Sequence, residues 1–196
     1  MGTKTIKRAL SLFLALALAT ICGISAMAAD TTATGTGSVT GNVAVNGSIS
    51  ALTISVTHPL SVDYAINPNS GTFTAPDINI KNNTKVPVNV TVSSLKAAAG
   101  GTVTLTDVAA ADKTWAELNA ADSKKYIALG IKAKDATGWT AGYSTATHYA
   151  VKDTPSLIGS LPTNTTGTLT LVANFGLAFD AAYTAKHSLV LMFNLV

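Results

Sequence analysis

Short runs in which apolar and polar residues alternate are the feature that most constrains how this chain can fold. Alternation places one face of each strand on a core and the other face in solvent, which is typical of antiparallel sheets. About nine such runs, bounded by Gly, Pro, Asn and Ser, predict an all-β fold: an antiparallel β-sandwich or jelly roll rather than an α/β fold. The predicted strands cover residues 39–45, 52–56, 60–66, 78–80, 86–92, 103–105, 127–131, 169–175 and 189–195.

One short helix is expected to interrupt the strands. Thr114 and Glu117 have the spacing of a capping box, in which a threonine at the N-cap is followed three residues later by a glutamate. The spacing predicts a helix over about 114–121.

The first 29 residues have the three parts of a secretory signal peptide. Lys4, Lys7 and Arg8 precede an apolar run over residues 9–21, and the small residues Ala28 and Ala29 supply the cleavage site. Because the apolar run is shorter than the roughly 20 residues that span a bilayer, we expect cleavage rather than anchoring. The protein is therefore expected to be secreted, to an extracellular or cell-surface location, with no membrane attachment after cleavage.

Three segments follow from this division: the signal peptide 1–29, a flexible leader with a first strand over 30–47, and a single β-sandwich domain over 48–196. The only cysteine, Cys22, lies in the signal peptide, so no disulfide framework is expected in the secreted chain. Three of the 13 Lys and Arg residues also lie there, leaving ten to balance the ten Asp and Glu residues. A neutral chain without further arginine argues against nucleic-acid binding.

Residues with catalytic potential do not form a recognisable motif. His58, His148 and His187 lack the spacing of a metal site, and Glu117 is the only glutamate, so paired-carboxylate chemistry is not supported. The serines do not lie in a G-x-S-x-G sequence. We therefore predict a protein that is not an enzyme and needs no cofactor or metal.

A run of residues 78–84, INIKNNT, followed by residues 86–90, VPVNV, has the strand, Asn-rich turn and strand order of many secreted sandwich domains. Together with the export signal, the Gly/Thr-rich leader and the closing strand, this layout resembles the surface and biofilm-matrix proteins of Gram-positive bacteria, including the TasA/camelysin-like fibre subunits. The resemblance implies a structural subunit, assembled by donor-strand exchange.

The physical basis of such assembly can be stated separately. A sandwich with an unpaired strand edge invites an extended segment from a neighbouring copy. The leader alternates small residues with Val39, Val43 and Val45, which makes it the candidate donor strand. The expected partner is then a second copy of the chain.

A second hypothesis is a monomeric carbohydrate-binding or adhesion module. Residues 135–149 are the most irregular part of the sequence and contain Trp139, Tyr143 and Tyr149, whose rings could stack on a cell-surface glycan. The competing interpretation is that these rings pack against the sandwich.

Overall fold

The computed structural model describes residues 47–196 together with the isolated positions 36 and 38. Residues 50–196 form one compact unit, which contains every described strand and helix. The all-β prediction is confirmed, with eleven strands instead of about nine. The strands are β1 Val56–Thr57, β2 Ala65–Asn67, β3 Thr72–Thr74, β4 Ile78–Asn82, β5 Val88–Ala98, β6 Thr106–Asp107, β7 Tyr126–Ala133, β8 His148–Tyr149, β9 Ser156–Leu161, β10 Thr166–Phe175 and β11 Lys186–Leu195.

Two sheets and one hairpin organise these strands. The larger sheet has the order β1-β4-β10-β7-β6, with β8 also pairing with β7. The smaller sheet has the order β11-β5-β9, and β2 and β3 form a separate hairpin. All pairs are antiparallel except the short parallel pair of β6 and β7.

The two sheets bury their apolar faces in one core. The inward residues of β5 are Val90, Val92 and Leu95, and they pack in the same cluster as Ile80 of β4 and Leu129 of β7. Burying side chains of this size contributes about 1.5–3 kcal/mol each, and this burial takes the place of disulfide bonds in stabilising the domain. The strand β11 is packed less completely, since its inward residues Leu189, Leu191 and Phe193 are only half-buried.

A buried asparagine fixes the end of the sandwich where β4 turns into β5. The side-chain amide of Asn82 lies 2.9 Å from the carbonyl oxygen of Val86, 3.0 Å from that of Leu161 and 3.1 Å from that of Pro162. Its Oδ1 accepts a hydrogen bond from the backbone N–H of Thr84 at 2.8 Å. One side chain therefore joins the β4–β5 turn to the β9–β10 turn.

The predicted helix over 114–121 has different bounds and a different cap in the structure. Trp115–Glu117 forms a single 3₁₀ turn, and the Thr114 side chain makes no capping hydrogen bond. The α-helix is α1, Ala120–Ser123, and its N-cap is Asn119, whose side chain accepts a hydrogen bond from the backbone N–H of Asp122 at 2.9 Å. Asparagine caps helices as well as threonine does, so the capping-box spacing selected the wrong one of two adjacent candidates.

Candidate functional site

A large cavity lies between the two sheets beside β11. Its volume is about 600 Å³, within the range of ligand-binding clefts. Its apolar wall comes from both sheets, and residues 58–64 and 185–187 form its rim. The wall residues are Ile78, Leu95, Leu129, Leu171, Leu189 and Leu191.

Residues 58–64, here called the strap, follow β11 in the antiparallel direction. At one end His58 stacks on Phe193, with ring centroids 6.0 Å apart. At the other end the hydroxyl of Tyr64 lies 3.2 Å from Nδ1 of His187. The separation along the chain is six positions on both segments, so the strap has the direction and span of a strand paired with β11.

The strap nevertheless does not pair with β11. In the described part of the chain, no backbone hydrogen bond joins the strap to this strand. Pro59 lacks an N–H donor and restricts the conformation of the preceding residue, which disfavours a regular ladder at this end. Leu60 is 100% exposed and adds nothing to the core. The strap thus runs beside β11 without hydrogen bonds to its backbone.

A polar corner closes the cavity at the Tyr64 end. Asp107 accepts a hydrogen bond at Oδ2 from the backbone N–H of Ala97 at 2.7 Å, and its Oδ1 lies 3.1 Å from Nε2 of His187. Ala97 and His187 are themselves a cross-strand pair of β5 and β11, so one carboxylate holds both members. When Nε2 donates its hydrogen to Asp107, the lone pair of Nδ1 is available to accept a hydrogen bond from the Tyr64 hydroxyl.

The electrostatics of this corner keep Tyr64 protonated. Burial, with a smaller contribution from the negative charge of Asp107, raises the pKa of the Tyr64 hydroxyl to about 12. A phenol with a raised pKa is a hydrogen-bond donor at neutral pH and not an activated nucleophile. The Tyr64–His187–Asp107 arrangement can therefore fasten the strap but has no nucleophile.

The outward face of β11 exposes two apolar side chains near its middle. Val190 is 47% exposed and Met192 is 42% exposed. Met192 lies opposite Thr91 of β5, which in turn lies opposite Leu157 of β9, so two exposed apolar residues flank one buried threonine across the smaller sheet. Lys186 places a charge at the start of the strand, and the exposed apolar residues beyond it make this edge a candidate for strand addition.

A second polar cluster surrounds Ser156 in a smaller pocket. The Oγ of Ser156 lies 2.8 Å from Nδ1 of His148 and accepts a hydrogen bond from Nζ of Lys152 at 2.8 Å. His148 is only 1% exposed, and burial, followed by the charge of Lys152, holds its pKa below the usual range. Among the described residues nothing pairs with its Nε2, so the third group that orients the base of a catalytic triad is missing there.

The residues predicted to bind carbohydrate lie largely inside the fold. Trp139 is only 7% exposed and belongs to the core cluster. A Cβ at Gly159 or Gly167 would lie 3.2 Å or 2.6 Å from its ring, so these two strand glycines make room for it. Tyr143 and Tyr149 are half-buried. Stacking on a sugar needs an exposed ring face, and Trp139 does not offer one.

The other predicted sites fall in different places. Val39, Val43 and Val45 of the candidate donor strand lie outside the described residues, as do Ala28 and Ala29 of the predicted cleavage site. Of the histidines, His58 and His187 line the cavity beside β11, whereas His148 lies in the smaller pocket. Within the described chain no three His, Cys, Asp or Glu side chains come together as metal ligands.

The polar corner has almost no signal in the sequence. Tyr64 lies within the alternating run 60–66, and Asp107 has no neighbouring charge or motif that sets it apart. The one available signal is that His187 falls on the same face as Leu189, Leu191 and Phe193 in the alternation of β11. A polar side chain at an inward position predicts a buried partner.

Of the helices in the described part of the chain, none is long and apolar enough to cross a membrane. Comparison with known proteins identified no relative: no family model, no curated protein and no solved structure matches this chain.

Proposed function

We propose that this chain is a secreted structural protein that self-assembles into an extracellular fibre, matrix or surface layer. In this proposal residues 34–46 of one copy add as a strand to the edge of β11 in the next copy. The observation that carries it is the edge itself: β11 borders a cavity of about 600 Å³, and the strap that lines the same cavity makes no backbone hydrogen bonds to it.

The composition of the leader fits such an edge. Val39, Val43 and Val45 are at odd positions, so in an extended chain they project to one face, with Asn42 and Ala44 on the other. The valine face would enter the apolar cavity, and the polar face would continue the outer surface of the smaller sheet. Main-chain hydrogen bonds would supply much of the affinity, and side-chain fit the register.

The energetics allow insertion without a covalent link. Burying three valine side chains contributes about 1.5–3 kcal/mol each, which partly offsets an association cost of roughly 4–15 kcal/mol. The remaining stabilisation would come from the new ladder and from contact with the exposed Val190 and Met192 of β11. After removal of residues 1–29 the chain has no net charge, so little electrostatic repulsion opposes assembly.

The carbohydrate-binding alternative has no comparable support. Its central ring, Trp139, is in the core, and the smaller pocket contains no exposed aromatic side chain in its lining.

The proposal is tested by electron microscopy of the exported protein in negative stain. The intact protein is expected to form filaments or sheets, and a variant lacking residues 31–46 is expected to stay monomeric with an unchanged circular dichroism spectrum. Filaments from the deletion variant, or only monomers from the intact protein, would reject the proposal.

A matched pair of point variants separates strand insertion from general loss of solubility. Val43→Asp places a charge on the face that would enter the cavity, whereas Ala44→Asp places the same charge on the opposite face. Assembly should be lost in the first variant and retained in the second. Equal effects of the two charges would argue against insertion as a strand.

A further inference from the structure

We infer that the strap, residues 58–64, is an internal occupant of the β11 edge that an incoming strand must displace, and that Tyr64 is the latch that controls its release. The inference rests on the proposed function and adds to it a step that regulates assembly.

The strap and an added strand would need the same place. The strap runs antiparallel to β11 from Phe193 to His187, and the two segments line the same cavity along this span. A strand has two edges in its sheet, and the other edge of β11 is fully used by β5, from the Lys186–Ala98 pair to the Leu195–Val88 pair. An incoming strand can therefore hydrogen-bond to β11 only after the strap has moved.

The strap is held at three points. Two are its contacts with β11, the His58–Phe193 stack and the Tyr64–His187 hydrogen bond, and the third is Val62, which is partly buried and packs against the core. Displacing the strap breaks these contacts, while the incoming strand gains a backbone ladder and places its own valines in the cavity. The free energy of exchange favours the incoming strand once the strap is released.

Of the two ends of the strap, the Tyr64 end contacts the residue of β11 that is held more firmly, His187. His187 is held on its far side by Asp107, and Asp107 is in turn held by the backbone N–H of Ala97. Tyr64 also stacks on Phe73 of β3, with ring centroids 5.5 Å apart. Removing the hydroxyl alone would remove the hydrogen bond to His187 and leave the ring packed on the hairpin.

A reversible lock tests displacement directly. In the double variant His58→Cys with Phe193→Cys, the two cysteines are joined by a direct disulfide or by a short crosslinker attached to each cysteine through a disulfide. The crosslink ties the strap to β11 in a chain that otherwise has no cysteine after Cys22. The oxidised protein is expected not to assemble, and a reductant is expected to restore assembly. Assembly of the fully crosslinked protein at the rate of the reduced protein would overturn the inference and leave the proposed function intact.

The latch is tested by Tyr64→Phe, with Tyr149→Phe on β8 as the matched control. Because a single hydrogen bond contributes about 0.5–1.5 kcal/mol, loss of the Tyr64 hydroxyl should raise the released population, and with it the initial assembly rate, roughly 2- to 12-fold. The labelling rate of a cysteine placed at Val62, a strap residue that is partly buried against the core, should rise by a similar factor, and this readout does not require assembly. An unchanged labelling rate and assembly rate in Tyr64→Phe would reject the latch. Faster labelling without assembly of any variant would instead reject the proposed function, and with it the displacement step.

Discussion

The hydroxyl of Tyr64 lies 3.2 Å from Nδ1 of His187, although 123 positions separate the two residues in the chain. This contact joins the strap to the last strand of the smaller sheet. Through His187 it also reaches Asp107, the end of a two-residue strand of the larger sheet. A single hydrogen-bonded chain therefore links both sheets at the rim of the cavity, and the stability of this corner can be measured separately from any assembly.

Asp107→Ala is expected to destabilise the domain by about 2 kcal/mol. The change leaves the backbone N–H of Ala97 and the ring of His187 without their acceptor in a nearly buried site, and unsatisfied groups of this kind cost about 1–3 kcal/mol. Urea unfolding followed by tryptophan fluorescence measures the difference. Asp63→Ala is the control, since Asp63 is an exposed acid on the strap, and a loss as large in this variant would contradict the explanation.

Asn82→Ala is expected to lower the free energy of unfolding by about 3 kcal/mol. The variant leaves three buried or part-buried carbonyl oxygens and the N–H of Thr84 without their partner. Asn83→Ala removes only one exposed hydrogen bond, to Thr57 Oγ1, and should cost less than about 1 kcal/mol. Similar losses in the two neighbouring variants would mean that the Asn82 network does not stabilise the turn.

The long strands could be predicted from the sequence because their alternation reflects burial on one face. The runs in β7, β10 and β11 lie where the sequence placed them, and β4 includes its predicted run. The predicted strand over 60–66 was mostly wrong, since only Ala65–Asn67 is a strand and the preceding residues form the strap. Alternation reports which face is apolar, but it does not report whether backbone partners exist.

Trp139→Ala is expected to destabilise the domain by about 3–5 kcal/mol, as for other large buried aromatic residues. Trp139→Phe should cost less, because it keeps an aromatic ring in the core and removes a buried indole N–H that lacks an acceptor among the described residues. Thermal unfolding gives both values. An alanine variant as stable as the parent would show that the ring lies outside the core.

The stability of the domain should fall as the pH drops through the range in which an ordinary histidine becomes protonated. Burial keeps the pKa of His148 below its unfolded value of about 6.5, so near that pH the unfolded chain binds a proton that the folded chain does not. The free energy of unfolding therefore rises with pH in this window. Above the window both states are neutral at this position, and the free energy no longer depends on the protonation of His148. In urea titrations, the free energy of unfolding of His148→Gln should fall less between pH 7.5 and pH 5.5 than that of the parent protein. An identical pH dependence in the variant and the parent would contradict the assignment to His148.

The candidate site could not be predicted from the sequence, because it is assembled from segments that are distant in the chain. Its parts come from the strap, the β6 strand and β11, and each part is ordinary in its local context. Ser156–Leu161 was not predicted as a strand either, because Gly159 and two serines interrupt its apolar pattern. Gly159 is needed there because Trp139 and Tyr143 pack against its backbone, which is a tertiary requirement that local propensity does not contain.

The most direct test of strand addition at β11 is a disulfide between two copies. Copies with Asn42→Cys or Ala44→Cys in the leader are mixed under oxidation with size-tagged copies with Val190→Cys, which is exposed on the outward face of β11. The matched control replaces Val190→Cys with Leu157→Cys, equally accessible on β9 at the far side of the same sheet. Strand addition predicts mixed dimers with the β11 variant and few with the β9 variant, because disulfides form only when the Cα atoms are within about 7 Å. Mixed dimers that form equally with both variants, or with neither leader position, would contradict the account.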